Sequence, residues 1–140
     1  MKRIDEFRGR YYFLSNFSHS PLEYKGLVYQ NGEAAFQAMK VIDEKRREQF
    51  TNLPPNRAKA KGRNVKLRGD WEHVKEQVMY EVVRAKFTQN EYLKKKLLDT
   101  GDALLIEGNT WGDTVWGVCR GRGQNKLGKI LTRIRAELRN

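Results

Sequence analysis

"LEYKGLVYQNGEAAFQAMK", residues 22–40, sets two kinds of structure side by side. Its first half is apolar and aromatic with Lys25-Gly26 in the middle, which reads as two short strands about a tight hairpin turn. Asn31 then stands where a helix N-cap belongs, and the residues after it change to helical spacing. The helix is expected to run through "EAAFQAMKVIDEKRREQF", residues 33–50, with Ala35, Met39 and Ile42 at i, i+4 and i+7 on one face and Phe36 beside them. A hairpin followed directly by a helix excludes a regular alternation of strands and crossover helices.

The rest of the chain extends this pattern. "RYYFLSNF", residues 10–17, begins strand-like and turns polar. "NLPPNRAKAKGRN" has a proline start and a glycine stop and reads as a short helix. Asp70 is placed to cap "WEHVKEQVMYEVVRAKF", whose apolar stripe is Trp71, Val74, Val78, Val82 and Ala85. A further helix is expected from Asn90 to Leu98, then a short strand in "ALLIE". Asn125 is placed to cap a last helix with Leu127, Ile130, Leu131, Ile134 and Leu138 on one face. The expected fold is α+β: a mainly helical single domain over residues 1–140 with a small antiparallel sheet.

Bulk composition narrows the function classes. The chain has 140 residues, and its formal charge is +11, from 28 basic and 17 acidic side chains. Such a surplus favours phosphates, nucleotides or nucleic acid as partners, although a soluble protein can simply be basic. The lone Cys119 forbids an intramolecular disulfide, and His19 and His73 have no metal-ligand spacing with it. No apolar run approaches the ~20 residues of a membrane span, and "MKRIDEFRGR" lacks the apolar core of a signal peptide, so a cytoplasmic location without membrane partners is expected.

Several residues have types suited to chemistry. Glu33, Gln37 and Lys40 fall at i, i+4 and i+7 on a stripe bordering the apolar face of the helix. They either line a cleft or, more plainly, complement the helix dipole and solvent. Asp113 lies between Trp111 and Trp116 in "NTWGDTVWG", residues 109–117. Apolar rings can raise a carboxyl pKa for general-acid work, but Asp also commonly holds turn amides. The run from Gly121 to Gly128, with Arg120, Arg122 and Asn125, leads into a helix N-terminus. It reads either as an anion site made of backbone N–H groups or as a basic solvated loop. Ser15 and Asn16, between Phe13, Leu14 and Phe17, can hydrogen-bond a base or sugar, or form an Asx turn.

Together "FLSNF", "EAAFQAMK", "DWEHVKEQVM", "AKF" and the ordered set "LIE", "D..WG" and "G.NKLGKIL..IR" across Leu105 to Arg135 resemble the NADAR, or YbiA-like, family over nearly the whole chain. Two positions depart from its usual pattern: Ala34 stands where His is frequent, and Val118 follows "WG" where an acidic residue or glycine is frequent. The resemblance implies a compact, mainly helical α+β domain that cleaves N-glycosidic bonds. It implies as substrates phosphorylated ribosylamino-pyrimidines of riboflavin biosynthesis, or ADP-ribose linked to nucleobases, including ADP-ribosylated nucleic acid. It maps functional positions onto Asn16, Glu33, Lys40, Asp113 and Trp116.

The residue types suit that reaction. Breaking a ribosyl C1′–N bond builds positive charge on the sugar, which a fixed carboxylate stabilises while an acid protonates the departing base. Glu33 and Asp113 are the two carboxylates, with Lys40 as the third catalytic candidate. The substrate-binding candidates are Asn16, Phe17, Gln37, Trp116, Gly117, Arg120, Arg122 and Asn125, with Trp116 stacking on the base and the basic residues holding phosphate. Trp111 is expected to pack against the protein. No metal or redox cofactor is required by this chemistry. A nucleic-acid-binding module without catalysis, or a nucleotide sensor, is the competing class.

Overall fold

A computed structural model describes residues 2–139 of the chain. These residues form two compact units, one from Asn16–Gln89 and the other from the residues up to Ser15 together with those from Asn90 onward.

In the unit Asn16–Gln89, strands β2 (Leu22–Tyr24) and β3 (Leu27–Tyr29) pair antiparallel, Leu22 opposite Tyr29. Lys25 and Gly26 have φ of 52° and 89°, the two positive values that a hairpin turn matching the strand twist requires. The outer edge of β2 is covered by the Gln89 side chain, whose Oε1 accepts from Glu23 N at 2.7 Å while its Nε2 donates to Glu23 O at 2.8 Å. Four helices follow: α1 (Gly32–Ala38), α2 (Glu44–Glu48), α3 (Pro55–Gly62) and α4 (Trp71–Thr88). Asn31 caps α1 as expected, its Oδ1 accepting from Ala34 N at 2.7 Å, a bond worth about 1 kcal/mol.

The long helix expected over residues 33–50 is instead two. Carbonyls released at the end of α1 find other donors: Arg68 N bonds Lys40 O at 2.9 Å and Arg47 Nε bonds Val41 O at 2.8 Å. Asp43 then restarts the helix, its Oδ1 accepting from Lys45 N at 3.0 Å. Ile42 falls in this break and is 67% exposed, so it is not on the core face. Asp70 precedes α4 as expected but does not cap it with its side chain. Its carboxylate is held by Arg68 at 2.6 and 3.1 Å, and its backbone carbonyl accepts from His73 N and Val74 N. Trp71, Val78 and Val82 of the expected stripe are buried. Lys86, also on α4, is only 1% exposed and donates to Ser18 Oγ at 3.1 Å.

In the other unit, β1 (Arg3–Ile4) pairs parallel with β4 (Leu104–Leu105), and β5 (Gly108–Asn109) pairs parallel with β6 (Val118–Cys119). The expected antiparallel sheet is therefore the β2–β3 hairpin, and these two parallel pairs are additional. "RYYFLSNF" is not a strand: residues Gly9–Leu14 form a 3-10 helix. Phe13 and Leu14 are consecutive and both buried, which the alternating faces of a half-buried strand would not allow. Helices α5 (Glu91–Asp99) and α6 (Lys126–Leu138) complete the unit, with Leu127, Leu131 and Ile134 buried along α6. Among the described residues no helix is long and apolar enough to cross a membrane.

Candidate active site

The first turn of α1 is built against Asn16. Glu33 N donates to Asn16 O at 3.1 Å, and a Cβ at Gly32 would lie 3.0 Å from Asn16 Oδ1. Asn16 Nδ2 in turn points to Met79 Sδ at 3.2 Å, which ties the segment to α4. Glu33 is thereby fixed at the helix start and is 9% exposed. Gln37, one turn on, donates from Nε2 to Glu33 Oε2 at 2.7 Å.

Lys40 follows in the turn after α1. Its Nζ donates to Gly62 O at 3.4 Å and lies 6.0 Å from the centroid of the Trp71 ring. Burial lowers the Lys40 pKa, Glu33 opposes that shift by favouring the ammonium, and the Arg63 guanidinium adds to it. The carboxylate–amine stripe read from spacing is thus one electrostatic cluster. Trp71, which packs tilted on Phe36 at 5.2 Å, forms its apolar border. Phe17 lies under the Lys59 ammonium at 5.9 Å. Within this unit the structure gathers Asn16, Glu33, Gln37 and Lys40. Gly62 and Arg63 belong to the same cluster and were not singled out by sequence, because their link to α1 is non-local.

The second group of candidates is a turn system in the other unit. Asp113 Oδ1 accepts from Val115 N at 3.1 Å and Trp116 N at 2.9 Å, the Asx-type use of an aspartate. Asn109 clamps the same loop, donating from Nδ2 to Asp113 O at 2.9 Å and accepting from Asp113 N at 3.0 Å. Sequence reasoning passed over Asn109, and its position four residues before an Asp in a Gly-rich loop was the available signal. Trp116 is half-buried; Trp111, expected to pack, is 56% exposed. Gly117 is buried and leaves no room for a Cβ, which would collide with Glu107 O.

The Gly-rich run does not present a row of open N–H groups. Gln124 N, Asn125 N, Lys126 N and Leu127 N donate to the carbonyls of Thr114, Gly117, Val115 and Trp116 respectively. Those bonds stitch the loop to the start of α6, so the backbone anion site read from sequence is closed. Arg120 and Arg122 are exposed and belong to a tight turn in which Cys119 and Arg122 exchange backbone bonds at 2.8 and 3.0 Å. Asn125 stands at the cap position of α6, but with φ 52° and no side-chain capping bond. Its amide instead bridges the strand region, accepting from Glu107 N at 3.0 Å and donating to Leu105 O at 2.9 Å.

This chain is similar in sequence to known proteins and in fold to a solved structure. The model of the NADAR domain matches residues 5–139. N-glycosidase YbiA of Shigella flexneri serotype 5b is 42% identical over 128 residues, covering 89% of this chain and 79% of that protein. A Vibrio vulnificus riboflavin biosynthesis protein is 34% identical over 135 residues, 90% of this chain but 35% of that longer protein. The NMR structure of Escherichia coli YbiA superposes with a TM-score of 0.87 at 38% identity, covering 98% of this chain and 84% of that one. The fold and sequence define an enzyme of the N-glycosidase class. The chain belongs to the NADAR family.

Proposed function

We propose that this chain hydrolyses the ribosyl C1′–N bond of a phosphorylated ribosylamino-pyrimidine of riboflavin biosynthesis. The observation that carries the reading is the Glu33 carboxylate, nearly buried and held by the Gln37 amide at 2.7 Å. In the reaction the C1′–N electron pair leaves with the base, water adds to C1′, and the base nitrogen gains a proton. The products are the ribose phosphate and the free amine. A carboxylate fixed before the reaction stabilises the positive charge growing at C1′ without reorganising, which is the largest single contribution such a group makes. Lys40 and Arg63 supply positive charge for the phosphate. Asp113 is assigned first to its loop, since one oxygen already holds two amides. Residues 1–140 serve as one NADAR domain in this reading. The named role of the Vibrio vulnificus relative supports the choice of pathway.

A second reading, removal of ADP-ribose from nucleobases in nucleic acid, is favoured by one feature. Residues 56–69 carry Arg57, Lys59, Lys61, Arg63, Lys66 and Arg68 with no acidic residue among them. Incubation with both substrate types, with free base read by mass spectrometry, tests the choice. Release from the ribosylamino-pyrimidine phosphate alone is expected. Release only from ADP-ribosylated nucleic acid, with affinity falling steeply as salt rises, would replace the first reading with the second.

A further inference from the structure

Gly62 is the last residue of α3, and two side chains of the candidate site converge on it. Lys40 Nζ donates to its carbonyl at 3.4 Å, where the negative end of the helix favours an ammonium. On its Cα side, an added Cβ would collide with Gln37 Oε1 and Cδ. Gly62 is not among the positive-φ glycines, so its backbone does not require glycine. A side chain there would meet the Gln37 amide, which would have to move aside.

The orientation of the Gln37 amide follows from its partner. Gln37 Nε2 faces the carboxylate and donates to Glu33 Oε2 at 2.7 Å. Oε1 is then turned toward Gly62. That oxygen is buried and has no hydrogen-bond partner among the described residues. An unmet buried acceptor is unfavourable and calls for an explanation. The close approach of Gly62 and the unmet Gln37 acceptor therefore meet at one contact.

We propose that Gly62 is a positioning residue: by lacking a side chain it lets α3 close against the Gln37 amide and lock that amide onto the Glu33 carboxylate. The inference rests on the assignment of Glu33 to the reaction made above. A Cβ at position 62 forces the amide to swing away. Glu33 then loses the hydrogen bond from Gln37.

The test compares Gly62→Ala, Gln37→Ala and the double variant with wild type. Gly62→Ala is expected to lower kcat at least tenfold with KM changed less than threefold. The acid limb of its pH–rate profile should move upward, since a carboxylate that loses one donor protonates more readily. In the Gln37→Ala background the same substitution should change kcat less than twofold. An equal loss in both backgrounds, or a Gly62→Ala kcat within twofold of wild type, overturns the proposal. If Gly62→Ala does not fold, the double variant should fold and melt like Gln37→Ala, because the colliding side chain is gone; a double variant that also fails to fold overturns it. The Gln37 side-chain NH2 resonances give a readout without substrate. They should shift in Gly62→Ala and in Glu33→Gln alike, and an unmoved signal in Gly62→Ala overturns the clamp. Wild type that releases no base from any substrate would instead overturn the assigned reaction while these spectra still decide the clamp.

Discussion

Gln37 Nε2 lies 2.7 Å from Glu33 Oε2, one turn along α1, and donates to it. The pair holds in place a carboxylate that is nearly buried at the helix start. Its partner at the other end of the stripe, Lys40, is kept near by the turn that ends α1, so charge of both signs sits within one small cluster.

Glu33→Gln should therefore keep the fold and remove turnover. An amide is nearly isosteric but carries no charge to oppose the sugar cation. The expected loss is on the order of a hundredfold or more, the ~3–4 kcal/mol that one preorganised electrostatic group is worth. Free-base release and a melting curve measure the two effects separately. A variant with normal melting and more than a tenth of the wild-type rate would remove Glu33 from the reaction.

Lys86 makes stability depend on pH in a definite direction. Burial lowers its pKa from 10.5 to about 7. Between those values the unfolded chain holds a proton that the native state does not, so stability rises with pH through this window, by up to about 1 kcal/mol per unit. Below about 7 both states are protonated and the cost of the buried charge is fully present. Tyr29, whose pKa burial raises to about 12, acts oppositely and only above its ordinary 10.0. Lys86→Met should be more stable than wild type at pH 6, with the advantage shrinking toward pH 9.5. Urea titrations of both proteins at the two pH values check this, and a pH-independent difference would show that Lys86 titrates normally.

Asp113 has two separable roles to test. Its Oδ1 holds Val115 N and Trp116 N, and an asparagine can present the same acceptor. Asp113→Asn should thus preserve the melting temperature, while Asp113→Ala should lower stability by about 1–3 kcal/mol through two lost bonds. The turn assignment implies that Asp113→Asn keeps most of its activity. A variant that melts normally but has lost turnover a hundredfold would assign the carboxyl a proton-transfer role.

Local signals carried the parts of the fold that sequence made legible. The Lys25-Gly26 turn, the Asn31 cap and the Pro55 to Gly62 helix each depend on residues within a few positions of one another. The break after α1 is hidden because the Arg68 backbone that meets Lys40 O lies outside the stretch read as one helix, and periodicity does not show that Arg47, inside it, turns its guanidinium to Val41 O. The partners of Asn125 are not legible in the sequence, since Leu105 at the end of β4 and Glu107 just before β5 are brought to it by folding. The i, i+4, i+7 spacing exposed Glu33, Gln37 and Lys40, whereas Gly62 acts through an absent side chain that no spacing reveals. Lys86 was invisible for a related reason: a lysine on a helix reads as solvated until the packing around it is known.

Trp116 and Trp111 form a paired test of base recognition. The Trp116 backbone is held at both ends, its N–H by Asp113 Oδ1 at 2.9 Å and its carbonyl by Leu127 N at 3.0 Å. Replacing the indole should consequently leave the loop anchored. If the indole stacks on the base, Trp116→Ala should lower kcat/KM roughly ten- to a hundredfold, matching the ~1–3 kcal/mol that stacking contributes per base. Trp116→Phe should recover part of this, because the smaller ring still offers a π face. Trp111, 56% exposed, should lose little stability on change to alanine, in contrast to a packed tryptophan. Steady-state kinetics and melting curves on the three variants decide the matter. Trp116→Ala that melts early while its folded fraction retains wild-type kcat/KM would make the indole a packing group and leave the base without this partner.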